Sequence, residues 1–134
     1  MTSNFGCDPI PGIAQLQPDS TYLVVLNGSA ANQAFPLNRL RSLIGRSHPP
    51  DFYVDIDLSG CELNRQNRIS RQHAVIQWVN NKLQIIDLGS RNGTFVDGEQ
   101  LISASVNQPS APRILTANSQ LRLADLEFAI ANSR

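Results

Sequence analysis

Short runs of apolar residues separated by turn residues recur along the chain from Thr21 onward. The first run, Thr21–Leu26, is rich in β-branched and aromatic residues and ends at the turn signal Asn27-Gly28. Val54–Leu58 alternates apolar and acidic side chains, which is the period of two expected of a strand with one buried face. Because no segment shows a convincing helical period, the pattern predicts an all-β fold, an antiparallel β-sandwich of about ten short strands.

Two pairs of runs predict β-hairpins with two-residue turns. One pair joins Ala74–Val79 to Lys82–Leu88 through Asn80-Asn81, and the other turns at Asp97-Gly98 after Thr94–Val96. The further strand candidates are Ala34–Leu37, Arg41–Ile44, Glu99–Ile102, Ile114–Leu115, Gln120–Leu123 and Leu126–Ile130.

The composition changes near residue 20. Residues 1–20 are rich in Pro, Gly, Gln, Ser and Asn, and few of their apolar positions are periodic. We therefore expect a flexible N-terminal leader over residues 1–20, one folded domain over 21–131, and a short tail over 132–134.

Size and cysteine content place the chain among ordinary intracellular domains. A chain of 134 residues can bury enough surface to fold without disulfides. Cys7 and Cys61 lack the spacing of a metal or redox motif, so we expect two thiols in a reducing cytosol. No apolar run approaches the ~20 residues needed to cross a membrane. These features predict a cytoplasmic protein that needs no metal or cofactor and does not bind membranes.

The basic residues are biased towards arginine. The net charge is zero, and Lys82 is the only lysine among eleven basic residues. This balance disfavours nucleic acid as a ligand, although nucleic-acid binding stays an alternative. Arginine forks suit bidentate recognition of an anion.

Three short segments lie in gaps between predicted strands and carry the donors that an oxyanion needs. They combine arginine, hydroxyl and amide groups with exposed loop N–H groups. The segments are Gly45-Arg46-Ser47, Ser70-Arg71-Gln72-His73 and Ser90-Arg91-Asn92-Gly93-Thr94. Strand-connecting loops can gather such groups at one end of a sandwich, so the pattern indicates a phosphate-binding site.

The order and spacing of Gly45-Arg46, Ser70-x-x-His73 and Asn92-Gly93 resemble the signature of the forkhead-associated (FHA) domain. The resemblance extends from about Tyr22 to Ile130. It implies an FHA-type β-sandwich of about eleven strands, with a phosphothreonine peptide bound by the loops at one end.

The resemblance also implies ligand-binding roles. Arg46 would contact the phosphate, and Ser70 would donate its hydroxyl to a phosphate oxygen. Arg71 would add a second positive group, and Asn92 would hold the main chain of the peptide. Arg91, in the same loop as Asn92, would contact phosphate or peptide.

Three further residues would support this site. Gly45 and Gly93 would allow close backbone approach or a positive φ. His73 would brace the loop that carries Ser70.

The function implied is a non-catalytic adaptor that binds a Thr-phosphorylated protein in Ser/Thr kinase signalling and acts as a monomer. The main alternative is a phospho-independent FHA-like module for protein interaction or self-association. A hydrolase reading, in which Ser70, His73 and Asp87 form a triad, lacks the nucleophile-elbow context.

Overall fold

The computed structural model describes residues 16–61, 68–103, 105 and 108–132. These residues form eleven β-strands and no helix, which confirms the predicted all-β class. The strands are β1 (Thr21–Val25), β2 (Ala34–Pro36), β3 (Arg41–Gly45), β4 (Ile56–Asp57), β5 (Gln72–Val79), β6 (Lys82–Asp87), β7 (Thr94–Val96), β8 (Glu99–Gln100), β9 (Arg113–Leu115), β10 (Gln120–Leu123) and β11 (Leu126–Asn132).

The strands make two sheets that pack as a sandwich. The six-stranded sheet has the order β2-β1-β11-β10-β7-β8, and the five-stranded sheet has the order β4-β3-β5-β6-β9. Neighbouring strands are antiparallel except β3 and β4, which are parallel. Alternate side chains from both sheets fill the core, among them Leu23, Ile44, Ile85, Leu123 and Phe128.

Both predicted hairpins are present. β5 pairs with β6 across Asn80 and Asn81, whose φ angles are 52° and 64°. β7 pairs with β8 across a turn in which Asp97 has φ 51°. Asn and Asp tolerate this left-handed conformation, which the turns favoured in two-residue hairpins require.

The acidic strand predicted over Val54–Leu58 is shorter than expected, with only Ile56 and Asp57 in β4. A side-chain oxygen of Asp55 accepts the N–H of Leu43 at 2.8 Å, so a carboxylate takes a place that a ladder carbonyl would otherwise fill. The period of two still holds, because Ile56 and Leu58 are buried.

Residues 16–20, predicted to belong to the leader, pack against the domain. Leu16 is 8% exposed and belongs to the core cluster. The Thr21 hydroxyl donates to the Gln17 carbonyl at 2.5 Å, and Ser20 Oγ donates to Asn132 Oδ1 at 2.9 Å. The rest of the predicted leader, residues 1–15, lies outside the described residues.

The strand directions bring three connections to one end of the sandwich, here called the loop end. β3 ends there at Gly45, β5 begins at Gln72, β6 ends at Asp87 and β7 begins at Thr94. The segments after β3, before β5 and between β6 and β7 are therefore neighbours in space.

A β-bulge at the start of β5 shapes this end. Ile44 pairs with Ala74 whereas Gly45 pairs with Gln72, so His73 is the extra residue of the β5 strand. The bulge allows both His73 and Ala74 to be buried. It also brings the β5 backbone so close to Gly45 that a Cβ there would lie 1.8 Å from the Arg71 carbonyl oxygen.

We expect Gly45→Ala to destabilise the domain by ~3 kcal/mol or more, because its methyl group would meet main chain that cannot move without breaking the β3–β5 ladder. Chemical denaturation measures this change in the free energy of unfolding. The matched control is Gly98→Ala, where an added Cβ meets no atom within 4 Å and only the φ of +84° opposes alanine. That control should cost about 1–2 kcal/mol, and equal losses in the two variants would contradict the prediction.

Candidate functional site

His73 connects two of the three loops at the centre of the loop end. Its side chain is fully buried. Nδ1 accepts the N–H of Ser70 at 3.0 Å, which places the ring proton on Nε2, and Nε2 donates to the Gly93 carbonyl at 3.0 Å. The same carbonyl accepts the N–H of Ala124, in the turn between β10 and β11, at 2.9 Å. One neutral imidazole thus fixes the Ser70 loop against the Asn92-Gly93 loop.

The environment of His73 favours the neutral ring. Burial lowers the pKa of His73 below its ordinary value, although the Gly93 carbonyl and the nearby Asp87 charge act in the opposite direction. Protonation would also place a hydrogen on Nδ1, where the ring now accepts the Ser70 N–H.

Asp87 organises the loop between β6 and β7. One carboxylate oxygen accepts the N–H groups of Gly89 and Ser90 at 2.9 and 3.0 Å. The other accepts the hydroxyls of Ser90 and Thr94 at 2.5 and 2.7 Å. Ser90 Oγ in turn accepts the N–H of Gly93 at 3.0 Å. The buried carboxylate therefore sets the path of the chain on which Arg91 and Asn92 lie.

Ser70 and Asn92 make the remaining links between these two loops. Ser70 Oγ accepts the main-chain N–H of Arg91 at 3.0 Å, which leaves the hydroxyl proton to be donated elsewhere. Asn92 Nδ2 donates to the Arg68 carbonyl at 2.8 Å. This bond leaves Asn92 one amide hydrogen and its side-chain carbonyl oxygen for a ligand.

Arg46 joins the third loop to the same centre. Its N–H donates to the Arg71 carbonyl at 3.1 Å, and its side-chain Nε donates to the Ile69 carbonyl at 2.6 Å. The side chain is half-buried. Because Nε is held, the two terminal guanidinium nitrogens are the groups left for an anion.

The segment after Arg46 is held by Asp57. Asp57 Oδ1 accepts the N–H groups of Ser47 at 3.2 Å and Ser59 at 3.0 Å. Partial burial opposes ionisation, but hydrogen bonds from Ser59 and Ser47 lower the pKa of Asp57 below its ordinary value. The carboxylate therefore stays charged and continues to hold the loop.

Three arginines at the loop end have no carboxylate partner among the described residues. Arg46, Arg71 and Arg91 form no ion pair with these residues, and the side chains of Arg71 and Arg91 are exposed. Other arginines are paired: Arg39 with Asp55, Arg68 with Asp125 and Arg113 with Glu99, at 3.6, 2.6 and 2.8 Å. An anionic ligand would give these three arginines the ion-pair partner that they lack.

The structure brings all eight predicted site residues to the loop end, five with side chains suited to a ligand and three in supporting positions. Gly93 has a φ of +91°, and a Cβ there would lie 2.8 Å from the Phe95 ring.

Sequence reasoning missed the roles of Asp87 and Ser90 as loop supports. An aspartate followed two and three residues later by glycine and serine is a signal for such a turn, because its carboxylate can accept both N–H groups.

Ser70, His73 and Asp87 are not arranged as the hydrolase alternative requires. Both ring nitrogens of His73 bond to main-chain groups, and the Asp87 carboxylate accepts hydrogen bonds from its own loop. Ser70, His73 and Asp87 therefore do not form a triad. The described part of the chain contains no cluster of His, Cys, Asp and Glu side chains that could hold a metal ion. It also contains no helix long and apolar enough to cross a membrane.

The pH dependence of folding should report the buried, neutral His73. Below pH ~6.5 an unfolded histidine takes up a proton while the folded one stays neutral, so this contribution is complete above that pH and is lost as pH falls. We expect the free energy of unfolding to fall by up to ~1.4 kcal/mol per pH unit as the pH drops below about 6.5.

Denaturation across this pH range measures the slope. His48→Gln, which removes the exposed second histidine, should retain it, whereas His73→Gln should flatten it. A slope that follows His48 instead would refute this assignment.

Replacement of Asp87 should disorder the loop that it holds. Asp87→Asn puts an NH₂ group where an oxygen now accepts two donors, so we expect a loss of ~3 kcal/mol in the free energy of unfolding. Asp97→Asn is the control. The exposed Asp97 carboxylate accepts one hydrogen bond, from the main-chain N–H of Gln120 at 2.9 Å, and asparagine tolerates the φ of this position. A loss below ~1 kcal/mol for Asp87→Asn would show that the loop does not depend on this carboxylate.

Comparison with known proteins agrees with the geometry. The family model described as FHA domain matches residues 42–124. The glycogen accumulation regulator GarA of Mycobacterium tuberculosis is 34% identical over 95 residues, covering 71% of this chain and 52% of GarA. The chain therefore spans about half the length of this curated relative.

Solved structures show the same fold. The FHA domain of the CT664 protein from Chlamydia trachomatis superposes with a TM-score of 0.64 at 30% identity, over 86% of this chain and 99% of that one. EmbR of Mycobacterium tuberculosis, solved in complex with a low-affinity phosphopeptide, gives a TM-score of 0.63 at 28% identity, over 85% of this chain and 24% of EmbR. The family match, the fold and the three hydrogen-bonded loops show that this chain belongs to the FHA domain family.

Proposed function

We propose that this FHA domain is a non-catalytic adaptor that binds phosphothreonine in a partner protein and so couples Ser/Thr kinase activity to protein assembly. The observation that carries the proposal is the convergence of three arginines without a carboxylate partner among the described residues on the loop that presents the Ser70 hydroxyl. A phosphorylated side chain carries a charge of about −1.5 to −2, with three strong acceptor oxygens.

Arg46 and Ser70 would form the phosphate seat. The bond from Arg46 Nε to Ile69 fixes the guanidinium beside the Ser70 loop, so that its terminal nitrogens can donate to two phosphate oxygens. Ser70 accepts the Arg91 N–H and keeps its own proton for a third donation. Since the loops are already held by His73 and Asp87, little ordering is needed when the ligand arrives.

Asn92 would hold the peptide main chain beside the phosphate. Its bond to the Arg68 carbonyl orients the amide and leaves one donor and one acceptor, the pair that an extended peptide segment can satisfy. Arg71 supplies further positive charge at the start of β5. Gly45 and Gly93 would allow the close loop packing on which this arrangement depends.

Relatives support the proposal. EmbR is described in complex with a phosphopeptide, and the name of GarA describes a regulator. For this chain the partner would be a Thr-phosphorylated protein in the cytoplasm, bound by one copy of the domain without a cofactor.

Arg46→Ala should weaken binding of a phosphothreonine peptide by ~2 kcal/mol or more, about 30-fold, because it removes charge-assisted hydrogen bonds to the phosphate. An oriented phosphothreonine library first supplies a binding sequence, and fluorescence anisotropy then measures affinity, expected in the micromolar range at about −8 kcal/mol. Phosphoserine and unphosphorylated peptides of that sequence are the ligand controls.

Arg41→Ala is the matched protein control. It removes one exposed arginine at the far end of β3, where the guanidinium makes a 3.3 Å bond to Gln77, and should leave affinity unchanged. Equal binding of phosphorylated and unphosphorylated peptides would overturn the proposal. Protein capture that survives Arg46→Ala would instead favour the phospho-independent interaction module.

A further inference from the structure

The loop end carries more arginines without an ion pair than one phosphate needs. A phosphate of charge about −1.5 to −2 is matched by two guanidinium groups, whereas Arg46, Arg71 and Arg91 provide three without a carboxylate partner among the described residues. The Asp57 and Asp87 carboxylates lie at the same end but form no ion pair with these arginines. Asp87 accepts four hydrogen bonds from Gly89, Ser90 and Thr94, and Asp57 accepts the N–H groups of Ser47 and Ser59. One arginine is therefore left over when the phosphate is bound.

Backbone contacts separate the three arginines into two groups. Arg46 and Arg71 are neighbours across the β3–β5 ladder, joined by the 3.1 Å bond from Arg46 N–H to the Arg71 carbonyl. Arg91 comes from the loop between β6 and β7, and its N–H donates to Ser70 Oγ. On this basis Arg46 and Arg71 are the pair assigned to the phosphate, and Arg91 is the arginine assigned to a second group.

The Arg91 side chain is suited to read a ligand rather than to hold the fold. It is exposed and forms no hydrogen bond or ion pair with the described residues, whereas its main chain is fixed by Ser70 and the neighbouring Asn92 by Arg68. The main chain of Arg91 is therefore fixed, while its guanidinium has no hydrogen-bond or ion-pair partner among the described residues. In contrast, Arg68 at the same end is paired with Asp125 at 2.6 Å.

We infer that Arg91 determines specificity by selecting phosphothreonine segments that carry a second anionic group close to the phosphothreonine. The group is a carboxylate or a second phosphate, both of which match a guanidinium fork. This inference rests on the proposed function. It adds to it a requirement on the sequence around the phosphothreonine.

The reference is a phosphothreonine peptide whose flanking residues are all uncharged, called the neutral peptide. It is compared with peptides that carry one aspartate, or one phosphoserine, at each flanking position in turn. Wild-type protein should bind the best aspartate peptide roughly three- to fivefold more tightly than the neutral peptide, as expected of an exposed ion pair. The phosphoserine arm shows whether a doubly charged group gives a larger gain. Added salt should reduce the gain, because exposed charges are screened.

Charge variants assign the gain to one residue. Arg91→Gln should bind the aspartate peptide no more tightly than it binds the peptide without aspartate, whatever its affinity for the latter. Arg91→Lys should retain most of the gain, and Arg91→Glu should favour a lysine at the same position. Arg41→Gln, which makes the same change in net charge at the far end of β3, should behave as wild type.

Two failures are distinguishable. If wild-type protein binds no peptide in a phosphate-dependent way, the proposed function fails and this inference fails with it. If the neutral peptide binds but no added anion improves affinity, or the gain survives in Arg91→Glu, only the inference is overturned.

Discussion

The buried bridge from Ser70 N–H through the His73 ring to the Gly93 carbonyl is the contact on which the loop end depends. It starts at Ser70, just before β5 of the five-stranded sheet, and ends at Gly93, just before β7 of the six-stranded sheet. A polar ring in a sandwich core is tolerated because both of its nitrogens have partners. The same two bonds fix the spacing between the loop that carries Ser70 and the loop that carries Asn92.

In Arg46, Ser70 and Asn92, some polar atoms hold the loops in place and others are left for a ligand. Arg46 uses Nε and its main-chain N–H for the fold and keeps its terminal nitrogens. Ser70 uses its oxygen as an acceptor and keeps its proton, and Asn92 uses one amide hydrogen and keeps the other. Such a division lets a site be preorganised without satisfying the groups that a ligand needs.

The sequence predicts the fold class, both hairpins and the residues that meet at the loop end, because each depends on local signals. The period of two gives the strands, and Asn80-Asn81 gives a turn. The bulge at His73 could not be predicted, since it depends on a slip in the pairing of β5 with Gly45. The carboxylate network of Asp87 has a local signal in Gly89 and Ser90, which was overlooked, but its bond to Thr94 depends on how the chain returns into β7. Leu16 was missed because one apolar residue in a polar segment has no period.

The hydrogen bond between Ser20 and Asn132 lies at the end of the sandwich opposite the loops. The first described residues lie at the same end, because Gln17 is bonded to Thr21 and Ser20 to Asn132. The described domain therefore begins and ends on one side, and Arg46, Ser70 and Asn92 lie on the other. Breaking the Ser20–Asn132 bond would loosen the paired ends of β1 and β11 without touching the hydrogen bonds of the loop end.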